Sequence, residues 1–72
     1  MMHNRLIVFT ETVVTSVTPK KAFEAAEECL IEIRVVESRK EAANWIYEYE
    51  VKGEIEKIEK FRERIESLRI FE

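Results

Sequence analysis

Residues 5–17 restrict the possible folds more than any other part of the sequence, because almost every residue there favours a β-strand. One predicted face of this strand carries Ile7, Phe9, Val13 and Val17. The other face carries Leu6, Val8, Thr10, Thr12, Val14 and Ser16. Both faces are at least half apolar, which is typical of a strand that is covered on both sides. Glu11 interrupts the first face, where a bulge or an exposed strand middle would accommodate its charge.

Two segments have the periodicity of amphipathic helices. The first begins at Thr18 and Pro19, a capping residue followed by the residue favoured at the first helical position, and is predicted to end near Ile31. The second begins at Glu54, directly after Gly53. Its apolar stripe consists of Ile55, Ile58, Phe61, Ile65 and Leu68. Each helix therefore has one apolar side that can pack against a sheet.

The segment between the helices is predicted to form two strands, at residues 33–38 and 44–52, joined by a loop of five residues. In the second strand, Trp45, Tyr47, Tyr49 and Val51 alternate with Ile46, Glu48, Glu50 and Lys52. A period of two with aromatic residues indicates a strand. Ser38 and Glu41 have the spacing of a helical capping box, so a helix over residues 38–50 is the alternative.

A short strand at residues 69–72 completes the predicted element order β-α-β-β-α-β. In a single domain spanning residues 1–72, this order resembles the ferredoxin-like sandwich. That fold has a four-stranded antiparallel sheet with two helices on one face. The resemblance rests on element order alone, and this fold serves many unrelated functions.

The uncovered face of such a sheet is predicted to be an interaction surface. Its predicted residues are Leu6, Val8, Thr10, Thr12, Val14, Arg34, Val36, Ile46 and Glu48. Extended apolar patches usually mark such surfaces, and an identical sheet is the commonest cover, because most soluble oligomers are homo-oligomers. The sequence therefore predicts a homodimer or a higher homo-oligomer. The alternative is a monomer whose uncovered face is hydrated through its charged residues.

The residue types that most catalytic and metal sites require are scarce. All fifteen acidic residues are Glu, and there is one Gly, one His and one Cys. Gly53 alone cannot form a glycine-rich phosphate loop, and His3 with Cys29 cannot supply the four ligands of structural zinc. Cys29 is predicted to act as a small buried hydrophobe. The sequence thus predicts a protein that is not an enzyme, with no catalytic residues, no metal and no cofactor.

Cysteine usage, charge and hydropathy indicate the location of the protein and its partners, and the single cysteine predicts a cytoplasmic protein. The net charge is −3, and positive and negative residues are interleaved along the chain. The protein therefore lacks the positive electrostatic field that is typical of nucleic-acid-binding proteins. No segment approaches the ~20 apolar residues that span a bilayer, and no apolar segment behind a basic N-terminus suggests a signal peptide. A single cysteine excludes an intramolecular disulfide. The abundance of Glu, Lys, Arg and Ile resembles the composition of hyperthermophile proteins.

Three functional hypotheses follow from these features. The first is a small non-enzymatic cytoplasmic module that self-associates through the uncovered sheet face and acts as an interaction or assembly unit. The second is a regulatory domain that binds a metabolite at a dimer interface, for which Gly53 at the strand–helix junction is the supporting feature. The third is a nucleic-acid-binding module in which Trp45, Tyr47 and Tyr49 form a stacking platform. Core aromatics are favoured over a platform, because the surrounding acidic residues repel phosphate.

Overall fold

The computed structural model describes residues 7–70, which form two layers. The elements are β1 Val8–Thr15, α1 Pro19–Cys29, β2 Glu32–Glu41, β3 Asn44–Glu54 and α2 Ile55–Ile70. The three strands form one antiparallel sheet in the order β1-β3-β2. α1 contacts β2 and α2, and α2 contacts β3 and β1, so both helices cover the same face of the sheet. The result is a small α+β fold.

The predicted four-stranded ferredoxin-like sandwich is wrong, because the described residues form three strands. The predicted strand at residues 69–72 begins inside α2, whose last residues are Arg69 and Ile70, while residues 71–72 lie outside the described part. α2 continues this far because its apolar stripe continues, with Leu68 packed against the core. An ion pair between Glu66 and Arg69 supports its last turn.

Residues 38–50 form strands and a turn, so the helical alternative is wrong. The predicted loop is also too long, since residues 39–41 extend β2 and only Ala42 and Ala43 connect it to β3. Ala42 has a φ of 53°, the left-handed conformation that two-residue hairpins use. The turn is shorter than predicted because backbone pairing with β3 continues to Glu41.

The irregularity suggested at Glu11 is absent, because β1 pairs with β3 without interruption. Glu11 lies on the helix-facing side of β1, and its Oε1 is 2.6 Å from Nη2 of Arg62 in α2. This ion pair accommodates the charge without a bulge. The bulge of the sheet lies in β2 instead, between Val35 and Glu37.

The core lies between the sheet and the helices. Its buried apolar residues are Val13, Val17, Ala22, Ala25, Ala26, Ile31, Tyr49, Val51, Ile58, Phe61 and Ile65. α1 buries only alanines, which allow a close approach to the rest of the core. The Tyr49 hydroxyl donates a hydrogen bond of 2.7 Å to the Val17 carbonyl, so β3 is tied to the β1–α1 connection.

Some apolar residues that were predicted to face the helices remain exposed. Ile7 and Phe9 are 64% and 42% exposed, at the start of β1. Leu30, within the span predicted for the first helix, is also exposed, at 72%. Leu30 is the C-cap of α1, and its φ of 61° takes the chain out of the helix before this residue can reach the core. Periodicity identifies the side of an element but not the extent to which neighbouring elements cover it.

Candidate interaction surface

One face of the sheet carries no helix, and we call it the open face. Val13 and Thr15 of β1 and Tyr49 and Val51 of β3 point toward the helices and are buried. Because side chains alternate along a strand, the even-numbered residues of β1 and β3 lie on the open face. The predicted interface residues on these two strands all belong to it: Val8, Thr10, Thr12, Val14, Ile46 and Glu48.

The open face has an uncharged half and a charged half. The uncharged half lies on β1 and consists of Val8, Thr10, Thr12 and Val14, which we call the β1 column. Val8 and Val14 are 50% and 54% exposed. The neighbouring positions of β3 are Glu54, Lys52, Glu50 and Glu48. The uncharged side chains are therefore concentrated at one edge of the sheet, whereas the charged half of the open face begins at β3, the middle strand.

The other predicted interface residues are separated from the β1 column. Arg34 lies on β2 opposite Glu50, and its Nε donates a hydrogen bond of 2.7 Å to Oε1 of Glu50. Val36 is 46% exposed and belongs to the β2 bulge, at the opposite edge of the sheet. Leu6 lies outside the described residues. The structure therefore places Ile46 and Glu48 on β3, beside the β1 column, and Arg34 and Val36 on β2, at the opposite edge of the sheet.

A groove of about 640 Å³ opens at the hairpin end of the sheet. Its apolar lining consists of Val14, Trp45, Ile46 and Tyr47. Its polar lining consists of Thr15, Ser16, Thr18, Asn44 and Arg69. Sequence reasoning missed this groove, because its residues are far apart in the chain and meet only in the folded structure. Arg69 is held at the groove by its ion pair with Glu66.

Gly53 has a packing role at the junction of β3 and α2. A Cβ atom at this position would lie 2.8 Å from Cγ2 of Ile31. The glycine therefore makes room for Ile31. It also lines a cavity of about 410 Å³ together with Val8, Leu30, Glu32, Lys52, Glu54 and Lys57. Close packing against Ile31 is one reason for a glycine here, and metabolite binding at this junction stays a prediction.

The aromatic residues of β3 do not form a stacking platform on the open face. Trp45, Tyr47 and Tyr49 occupy odd-numbered positions, which point toward the helices. Tyr49 is fully buried, and its ring stacks on that of Tyr47 with centroids 6.1 Å apart. The Phe23 ring meets Tyr49 edge-on at 6.4 Å. The core role predicted for these aromatics is confirmed for Tyr49, whereas Tyr47 is partly buried and Trp45 is 51% exposed.

Cys29 is partly buried at the end of α1 and packs against the core. Partial burial, and secondly the carboxylate of Glu28, raise the pKa of the Cys29 thiol. A raised pKa keeps the thiol protonated, whereas a reactive cysteine needs the thiolate. Within residues 7–70, no three His, Cys, Asp or Glu residues are grouped so that they could hold a metal ion. His3 lies outside this range.

No protein family, curated protein or solved structure matches this chain. In the part of the chain that the structure describes, no helix combines the length and the apolar character needed to cross a membrane. The open face and the groove at its end are therefore the features from which a function can be inferred.

Proposed function

We propose that this protein is a non-enzymatic cytoplasmic assembly module that binds a second copy of itself through the open face, with the contact centred on β1. The β1 column carries the proposal, because it is uncharged and its valines are half-exposed. Burial of apolar area stabilises a contact by about 25 cal/mol per Å². Burial of charge is costly, so Glu48, Glu50 and Lys52 suit the hydrated rim of an interface.

A second copy is the partner that suits this surface. Two-fold symmetric dimers are the commonest oligomers, and in such a dimer a surface meets the same surface of its partner. A two-fold contact centred on β1 brings two uncharged columns together. It also keeps the charged halves of the two open faces apart. The cytoplasmic location is supported by Cys29, the single cysteine, which leaves the fold independent of oxidation.

Size-exclusion chromatography with light scattering tests the proposal. At micromolar concentration the wild-type protein is expected to have twice the protomer mass of 8.6 kDa. Val14→Glu places a charge in the β1 column and is expected to yield the protomer mass. Val36→Glu is the matched control, because Val36 is similarly exposed but lies on the opposite edge, and it should stay dimeric. A wild-type protein of 8.6 kDa would contradict the proposal.

A second candidate function is small-ligand binding in the groove at the hairpin end. Its volume of about 640 Å³ lies within the range of small-molecule sites, about 300–1,000 Å³. Apolar walls with hydroxyls, an amide and the Arg69 guanidinium suit a ligand with an apolar part and a hydrogen-bonding or anionic part.

The emission of Trp45, the single tryptophan, reports directly on this groove. In a screen of amino acids and nucleotides, a ligand is expected to shift this emission and to raise the melting temperature. At 100 times its dissociation constant, the ligand adds about 2.7 kcal/mol to the free energy of unfolding. Arg69→Gln should weaken its binding and Val36→Glu should not. If no compound changes either readout, this second function is wrong.

A further inference from the structure

The two edges of the sheet differ in their protection against pairing with another strand. β2, at one edge, has charges at six of its ten positions and a bulge between Val35 and Glu37. β1, at the other edge, has one charge in eight residues, and its pairing with β3 is unbroken. Proteins protect free edges with charges, bulges and prolines, because unpaired backbone groups attract other strands. Within residues 7–70, only the β1 edge lacks these devices.

The single charge of β1 does not protect its edge. Glu11 Oε1 accepts hydrogen bonds from Nε and Nη2 of Arg62 at 3.1 and 2.6 Å. The carboxylate is therefore neutralised by its own protomer, on the side of the sheet that faces the helices. Arg62 Nη2 also donates a hydrogen bond of 3.4 Å to the Thr12 carbonyl oxygen, and a backbone N–H of an incoming strand could replace this long bond.

The sequence of β1 is complementary to itself in the antiparallel direction. The β1 column reads Val8, Thr10, Thr12, Val14, which is the same in both directions. A two-fold axis through position 11 places Val8 opposite the partner's Val14 and Thr10 opposite the partner's Thr12. On the helix-facing side it places Phe9, which is 42% exposed, opposite the partner's Val13. Threonine pairs and aromatic–valine pairs are favourable across strands, whereas the two Glu11 carboxylates are like charges that meet directly at the axis.

We infer that two protomers pair β1 with β1 across this two-fold axis and form one continuous six-stranded sheet from their three-stranded sheets. The inference rests on the proposed self-association and places the contact along the β1 edge rather than over the open face as a whole. The two β1 columns then lie side by side on the open face, and Val8, Phe9 and Val14 each gain a cross-strand neighbour. The two Glu11 carboxylates meet at the axis, each neutralised by Arg62 of its own protomer.

Disulfide cross-linking tests this geometry. Thr10→Cys and Thr12→Cys are made separately in a Cys29→Ser background, and the two proteins are mixed, exchanged and oxidised. Directly opposed residues have Cα atoms about 4.5–5.5 Å apart, within the range that a disulfide spans. The mixture is expected to yield a covalent dimer. Each variant alone should not, because positions offset by two residues lie about 7–8 Å apart.

A charge on the edge is the complementary test. Thr12→Lys is expected to abolish the dimer, since lysine on a strand edge prevents pairing. Ser38→Lys is the matched control, an exposed residue on the protected β2 edge, and it should remain dimeric. Circular dichroism confirms that both variants are folded.

The outcomes separate this inference from the proposed function. Sheets that stack face to face lie about 10 Å apart, beyond the reach of a disulfide. A wild-type dimer whose cysteine mixture does not cross-link would therefore overturn the edge pairing and leave self-association intact. A disulfide in Thr12→Cys alone would mean a shifted register and would also overturn the proposed pairing. A monomeric wild type would overturn both proposals.

Discussion

Replacement of Phe61 by alanine is expected to lower the free energy of unfolding by about 3–5 kcal/mol. Phe61 is fully buried in α2, the helix that contacts β1, β3 and α1. Its removal would leave a cavity between the two layers, which a thin core cannot fill by rearrangement. Domains have a stability of roughly 0.05–0.15 kcal/mol per residue, or about 4–11 kcal/mol for this chain, so the loss is a large part of the total.

Urea denaturation followed by circular dichroism measures this effect, as a lower midpoint with an unchanged slope. Phe23→Ala is the matched control, because Phe23 is 43% exposed on α1. This variant should lose about 1 kcal/mol or less. All proteins are compared at one concentration, since self-association adds to the apparent stability by mass action. Equal losses for the two variants would show that Phe61 is not a central residue of the core.

Gly53→Ala is expected to destabilise the protein by about 1–3 kcal/mol through overpacking. The added Cβ would lie 2.8 Å from Cγ2, 3.3 Å from Cβ and 3.6 Å from Cα of Ile31. These atoms lie at the base of the Ile31 side chain, so a change of rotamer cannot move all of them away. The chain itself would have to shift where β3 meets α2.

A double-mutant cycle with Ile31→Ala identifies this contact as the cause. Ile31→Ala removes Cγ2 and is destabilising by itself, because Ile31 is buried. In the Ile31→Ala background, Gly53→Ala should cost clearly less than in the wild type. If the losses in the free energy of unfolding are purely additive, Gly53 is not required for the space that it leaves for Ile31, and the proposed explanation is wrong.

Local patterns were sufficient to predict most of the elements. The alternation of Trp45, Tyr47, Tyr49 and Val51 predicted β3, and Thr18 with Pro19 predicted the start of α1. The stripe of α2 was also predicted, with Ile58, Phe61 and Ile65 buried. These predictions succeeded because backbone preference and side-chain period are properties of neighbouring residues. The end of α2 was predicted wrongly, because the contact of Leu68 with the core opposed a weak local preference for a strand.

The candidate site was only partly predictable. The four residues of the β1 column could be assigned to one face from the period of two, and the structure places them there. Their isolation from Arg34 and Val36 could not be predicted, because it depends on the strand order β1-β3-β2. The groove beside Trp45 could not be predicted either, because the residues that line it come from distant parts of the chain.

The sequence by itself determined which segments form strands or helices and which side of each is apolar. Only the tertiary structure decided how many strands the described sheet contains, which apolar residues remain exposed and which edge is left unpaired. The physical reason is that periodicity describes one element at a time. Burial and edge exposure depend on the element that lies alongside, and in this protein the helical end of α2 leaves β1 without a neighbour on its outer side in the described residues.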